Sequence, residues 1–344
     1  MIWSLLAFGH FSAFVFGGME MAPLLPKSPF SLGSGNFYTT LLPYGLGDFS
    51  ANPAAAAGDG RGSIRYSQFF PNSIGLMEPL SGTLLSGVLS AELPLSPYFS
   101  GGALWEYQGF GDAAKNNFGQ SAGTFSSFEN LFQFAFAFST SPGPGSGRAA
   151  APLFPFPVRL GLGVSALASG FSLDTTSPAA LSTFYALLGS VGLDVKLFRV
   201  LSAGFAFRNF DFRFNPASTL NMPFDFQIGV NVEPPLPVIR LITGLHFAYV
   251  EDGAGRLGLT ASVFHEFLNT EDINRVGLTP FLPARLGFSL QYHTDVAFLY
   301  PLNFGGAFFV DFGGRFQNLR LSYGIEYKTL SGFDQSLGLA YYFR

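Results

Sequence analysis

Cysteine is absent from the 344 residues. That excludes disulfides, thiolate metal sites, a cysteine nucleophile and an acylated lipoprotein cysteine. Charge is scarce too: Asp, Glu, Lys and Arg make up 12% of the chain, against about a quarter in soluble domains, which is poor cover for a water-facing surface. The formal net charge of -4 excludes a general attraction to nucleic acid. No stretch reaches the roughly 18 to 20 uninterrupted apolar residues of a spanning helix. The nearest, IWSLLAFGHFSAFVFGG from Ile2 to Gly18, has the position and length of a secretory signal's apolar part, so residues 1–22 are expected to be a signal peptide, although no Lys or Arg precedes it.

What is abundant is phenylalanine, 43 residues, and glycine, 42, with aromatics at 17% of the chain. Glu, Lys and Gln are sparse, so the bias is toward strands and turns. The decisive pattern is alternation. In NLRLSYGIEYK, residues 318–328, Leu319, Leu321, Tyr323, Ile325 and Tyr327 alternate with Asn318, Arg320, Ser322, Gly324, Glu326 and Lys328. Successive side chains of a strand point to opposite faces, so this is a strand with one oily and one polar side. QSLGLAYYF, RLGFSLQYH and DFQIGVNVE repeat it, and in NLFQFAFAFS four phenylalanines, Phe132 to Phe138, share one face.

Collected together, such stretches predict fourteen strands, near 61–70, 81–93, 99–109, 129–140, 157–170, 184–198, 200–211, 223–233, 238–251, 255–267, 284–293, 303–313, 315–328 and 335–343. The alternation is weakest in the first three. Many reach the 9 to 11 or so residues that a tilted strand needs to cross a bilayer. Tight turns such as LPLSPY, LFRV and EPPLP alternate with longer joins at 110–128, 171–183, 212–222 and 294–302, the layout of an outer-membrane barrel. Two joins break the rule: 141–157 and 268–284 are long where short turns belong.

Either face could in principle form a core. A barrel of fourteen long strands encloses a lumen too wide for side chains alone to fill, so the oily faces are expected to meet lipid and the polar faces to line the interior. The predicted fold class is therefore all-β, a transmembrane antiparallel β-barrel over residues 61–344. Tyr327 near one end of its strand, with Tyr341 and Phe343 at the other, suits aromatic girdles.

Ahead of the first strand stands LLPYGLGDFSANPAAAAG, residues 41–58. With a barrel following, its Asn52, Pro53 and Ala54 resemble the NPA core of the N-terminal plug in the FadL superfamily of outer-membrane proteins, and the arrangement looks most like the PorV-type branch. The resemblance implies a plug (hatch-like) segment over residues 23–60 and location in the bacterial outer membrane. It also implies passage of a hydrophobic, fatty-acid-like small molecule through a barrel embedded in outer-membrane lipid. Phe110, Phe118, Phe125 and Phe128, expected on a long loop, would then offer the first apolar surface. The alternative is a PorV-like role, holding a secreted or surface protein partner and transporting nothing.

No enzyme chemistry and no cofactor emerge. His265 and Glu266 are adjacent in a strand, hence on opposite faces, and do not chelate one ion together. His246 and His293 share the lumen face, as solvated pore-lining residues do. Ser289 sits four residues before His293, about 13 Å away at strand rise, beyond proton transfer. The remaining candidates are lumen charges: Arg159, Arg240, Arg256, Arg285 and Arg320 with Asp225, Glu266 and Glu326. They are expected chiefly to pair across neighbouring strands.

Overall fold

The computed structural model describes residues 27–33, 42–57, 60–73, 85–115, 121–142, 152–174, 182–211, 224–236, 239–250, 255–266, 283–295, 302–313, 316, 318–328 and 332–343; the expected signal peptide, 1–22, lies outside them. Among the described residues fourteen strands form one closed antiparallel barrel. They are β1 (Gly62–Ser73), β2 (Leu85–Pro94), β3 (Phe99–Lys115), β4 (Ser121–Ser139), β5 (Val158–Asp174), β6 (Ser182–Lys196), β7 (Leu201–Asp211), β8 (Asp225–Val232), β9 (Ile239–Val250), β10 (Arg256–Glu266), β11 (Pro283–Asp295), β12 (Leu302–Phe312), β13 (Leu319–Lys328) and β14 (Gly332–Phe343). Each pairs with its successor, and β1 closes on β14 from Gly62 opposite Phe343 to Ser73 opposite Phe333. Closure leaves no strand edge, as hydrocarbon surroundings require, because a backbone polar group unsatisfied there costs several kcal/mol.

The two faces of each strand differ as the alternation predicts. Along β4, Phe132, Phe134 and Phe136 are exposed while Leu131, Gln133, Ala135 and Ala137 are buried. On β5, Leu160, Leu162 and Val164 point out, and on β11 Phe288 and Leu290 do so. Exposed Ile, Leu, Val, Phe and Tyr side chains thus girdle the barrel, far more apolar surface than a soluble monomer shows; this outer face is the lipid face. Aromatic pairs mark its two ends. Tyr327 and Phe333 lie 5.1 Å apart at one, Tyr341 and Phe343 stack at 6.5 Å at the other.

Short connections, 95–98, 197–200 and 233–238, share the end that carries the C-terminus, which we call the turn end; 140–157 and 267–282 are the two long joins there. One expectation is corrected. The long loop at 110–128 is instead a continuation of the β3–β4 hairpin, paired from Phe110 opposite Ser127 to Lys115 opposite Ser121. GFGDAAK and SAGTFSSF lack alternation, but strand pairing is made by backbone N–H and C=O groups and needs no apolar face. Phe110, Phe125 and Phe128 are therefore strand residues, and Phe118 lies outside the described residues. Phe128 shares the outward face of Phe132, its ring lying over the place where a Cβ on Gly170 would stand.

Candidate functional site

Residues 27–33 and 42–57 lie within the barrel toward its turn end, and nearly all are buried. Their fold follows from local hydrogen bonding. Ser28 and Ser31 cap a single helical turn, α1 (Pro29–Gly33), with Ser31 N donating to Ser28 Oγ at 3.1 Å. Asp48 ties that turn to the next: its carboxylate accepts from Ser31 Oγ at 2.9 Å and from Ser50 N and Oγ at 2.9 and 2.6 Å. Asn52 then opens a 3-10 turn, Pro53–Ala57, accepting at Oδ1 from Ala54 N at 3.0 Å. This is a side-chain cap, with proline at the first turn position, where its missing N–H is not needed.

The expected trio Asn52, Pro53 and Ala54 is brought together and fully buried against β5 and β6. Glycine permits the contact. A Cβ on Gly161 would stand 2.1 Å from the Pro53 carbonyl carbon, and one on Gly192 would stand 1.9 Å from Asn52 Oδ1. The Asn52 amide reaches across to the Leu193 carbonyl at 3.5 Å. On the far side, α1 packs on β11 to β14, where Pro29 O would meet a Cβ on Gly324 at 2.1 Å. A cavity of about 40 Å³ remains between α1 and the β1–β14–β13 wall, lined by Ser28, Phe30, Leu46, Arg65, Arg320 and Tyr342 among others. At about 10 to 15 Å³ for one water, this volume matches a few waters and is too small for a hydrocarbon ligand.

Arginines of the wall grip this inner segment while paired to wall carboxylates. Arg65 donates to the Gly47 carbonyl at 3.1 Å and to Glu92 at 2.8 Å. Arg208 donates to the Ser50 carbonyl at 3.1 Å and pairs with Asp225. Arg285 and Arg240 lie 5.0 and 5.8 Å from the Tyr44 ring centre and pair with Glu266 and Glu233. Tyr44 adopts a left-handed backbone, φ 61°, a conformation that costs a non-glycine residue about 1–2 kcal/mol; these cations and the edge-on ring of Phe264 hold it.

Of the expected lumen charges, Arg320 makes a bidentate pair with Asp311 at 2.6 and 2.9 Å, stacked 4.3 Å over Phe309. Glu326 faces His293 at 3.5 Å. Arg159 stands opposite Asp194 in the β5–β6 register, and Arg256 is exposed at the other end of the barrel from the turns. Pairing across neighbouring strands is thus what Asp225 does with Arg208, Arg285 with Glu266 and Arg320 with Asp311, whereas Arg240 pairs with Glu233 of the β8–β9 turn and Glu326 faces a histidine two strands away. His246 and His293 do not converge: His246 Nε2 lies 3.1 Å from Thr260 Oγ1, and Asn303 Nδ2 lies 3.0 Å from His293 Nε2. Ser289 bonds Ser262 at 2.8 Å. No cluster able to hold a metal occurs among the described residues.

Lys27, Asp48, Arg65, Glu92, Glu106 and Arg208 escaped the sequence reading. Arg65 and Glu92 do occupy inward positions by strand parity, but their strands alternate weakly; Lys27 and Asp48 belong to a segment with no periodicity. The lumen is also two-sided. Buried Phe69, Val88, Leu104, Leu131, Leu167 and Leu188 form an apolar belt on β1 to β6, joined to Leu32, Phe49 and Ala55–Ala57 of the inner segment. The β8–β12 side carries a second apolar cluster, Ile242, Phe264, Ala307 and Phe309 with Phe30, Leu42 and Leu46 of the inner segment, beside the polar Asn231, His246, Ser289, Gln291 and Asn303.

A FadL homologue from Pseudomonas aeruginosa superposes with a TM-score of 0.53 at 10% identity, covering 93% of this chain and 98% of that one. The chain has the FadL-type barrel fold. The toluene transporter TodX of Pseudomonas putida gives 0.52 at 11% identity over 91% and 96% of the two chains. A TodX mutant described as a monoaromatic hydrocarbon channel gives 0.52 at 11% over 92% and 97%. No family model and no curated sequence matches the chain, so this FadL-type barrel is related to them at the level of fold.

Proposed function

We propose that this FadL-type barrel passes hydrophobic small molecules across the bacterial outer membrane, with residues around Asn52 and Pro53 as its movable plug. The observation that carries the reading is a lumen occupied toward the turn end by the chain's own residues 27–33 and 42–57, packed against an apolar belt of the β1–β6 wall. A permanently open pore for polar solutes needs neither. The structural neighbours, a toluene transporter and a monoaromatic hydrocarbon channel, support the same substrate class. The β3–β4 hairpin, which carries Phe110 and Phe125, serves as the approach to the lumen; Phe128, on the outer face, is left out of that set.

The test is saturable binding of labelled oleate and labelled oleyl alcohol to the purified barrel in nonionic detergent, with uptake into proteoliposomes. Saturable binding of at least one, altered by Asn52→Ala, is expected. Absence of saturable binding for both ends the transport reading.

A further inference from the structure

Glu106 differs from the other paired carboxylates of the wall. It is fully buried on the inward face of β3, and its cross-strand neighbours are Val88 and Leu131, both members of the apolar belt. An ionised carboxylate in such surroundings requires a counter-charge. Glu92, Asp225, Glu233, Glu266 and Asp311 find theirs in wall arginines. Glu106 receives from the wall a hydrogen bond from Gln108 Nε2 at 2.6 Å, and its cation is Lys27, which belongs to the inner segment and is itself buried.

We propose that Glu106 is a binding site for the ammonium head of a cationic amphiphile, and that Lys27 is its resident stand-in. Lys27 presents an ammonium on four methylenes, the chemistry of a primary amine with an apolar body. A charge-assisted hydrogen bond to the carboxylate would select the head, and Val88, Leu104 and Leu131 would receive the tail. A carboxylate head is repelled at the same place. Because the ligand takes the position of Lys27, its binding and withdrawal of the inner segment are coupled, so the barrel opens in response to what it carries. This refines the passage reading and rests on it.

The experiment compares equilibrium binding of labelled dodecylamine, dodecanol and dodecanoate to the full chain in nonionic detergent, with empty micelles subtracted. Lys27→Met, which vacates the carboxylate, is expected to tighten dodecylamine about tenfold or more while leaving dodecanol within about threefold. Glu106→Gln removes the preference for amine over alcohol. The double variant Lys27→Met/Glu106→Gln, which carries no buried charge at the site, does the same, and heat-modifiable migration on a gel verifies that each barrel is folded. Equal binding of amine and alcohol in folded Lys27→Met, or an amine preference that survives Glu106→Gln or the double variant, overturns the proposal. If all three probes bind alike, hydrophobic passage stands and the amine site falls; if none binds, both fall.

Discussion

Asn52 stabilises the inner segment in two ways, capping the Pro53–Ala57 turn and holding the β6 backbone. Replacing a capping asparagine by alanine costs about 1 kcal/mol. Asn52→Ala is therefore expected to raise amide exchange at residues 54–57 while the barrel strands stay protected, as followed by hydrogen–deuterium exchange. Gly161→Ala acts on the same contact from the wall. Its Cβ would stand 2.1 Å from backbone atoms of Pro53 and Ala54, which do not yield as a flexible side-chain tip would. The overpacking is expected to cost about 1–3 kcal/mol, seen as a lower thermal midpoint and early proteolysis ahead of residue 60. Protection equal to the parent in both variants would show that the segment does not dock on β5 and β6.

Among the elements, strand faces carry the energetics. Phe134 sits mid-strand on the lipid face of β4, exposed on that face and flanked by Phe132 and Phe136. Phe134→Arg is expected to cost about 2–4 kcal/mol in bilayer refolding, the range for arginine near the midplane of a barrel's outer face. The Arg320–Asp311 pair joins β13 to β12 inside the barrel. Removing one partner of a buried pair typically costs about 3–5 kcal/mol. Arg320→Met is expected near the lower end, because Arg285 lies 3.8 Å from the orphaned carboxylate; denaturant midpoints in lipid measure both.

The same faces explain what was legible in the sequence. From β4 to β14 the outward positions are mostly large and apolar and the inward ones mostly small or polar, with exceptions such as Leu131, Leu167 and Phe264, so strands such as β10 and β13 could be placed by parity alone. In β1 to β3 the lumen side is itself partly apolar: Phe69, Val88 and Leu104 point inward while Gln68 and Ala103 fall on the outward parity. Alternation fades where both surroundings are oily. The β3–β4 ribbon over 110–128 was missed because GFGDAAK and SAGTFSSF carry no alternation although their backbones pair. Arg240, Arg285 and Arg320 were recognisable by parity, but the grip of the wall arginines on Gly47, Ser50 and Tyr44 depends on contacts between the inner segment and the wall that are long-range and leave no local pattern.

Taken whole, the molecule is a closed sheet with an apolar exterior, a two-sided lumen and its own N-terminal chain packed into one end. Orientation of the faces is the claim on which the rest depends. Because the chain has no cysteine, single-cysteine variants report without background. On β5, the exposed Leu162, Val164 and Ala166 alternate with the buried Ser165 and Leu167. The most direct measurement attaches a fluorophore at each of these five positions in reconstituted barrels and quenches with lipids brominated on their acyl chains. Strong quenching at Leu162→Cys, Val164→Cys and Ala166→Cys with weak quenching at Ser165→Cys and Leu167→Cys is the result predicted; uniform quenching, or the reverse alternation, would contradict the account.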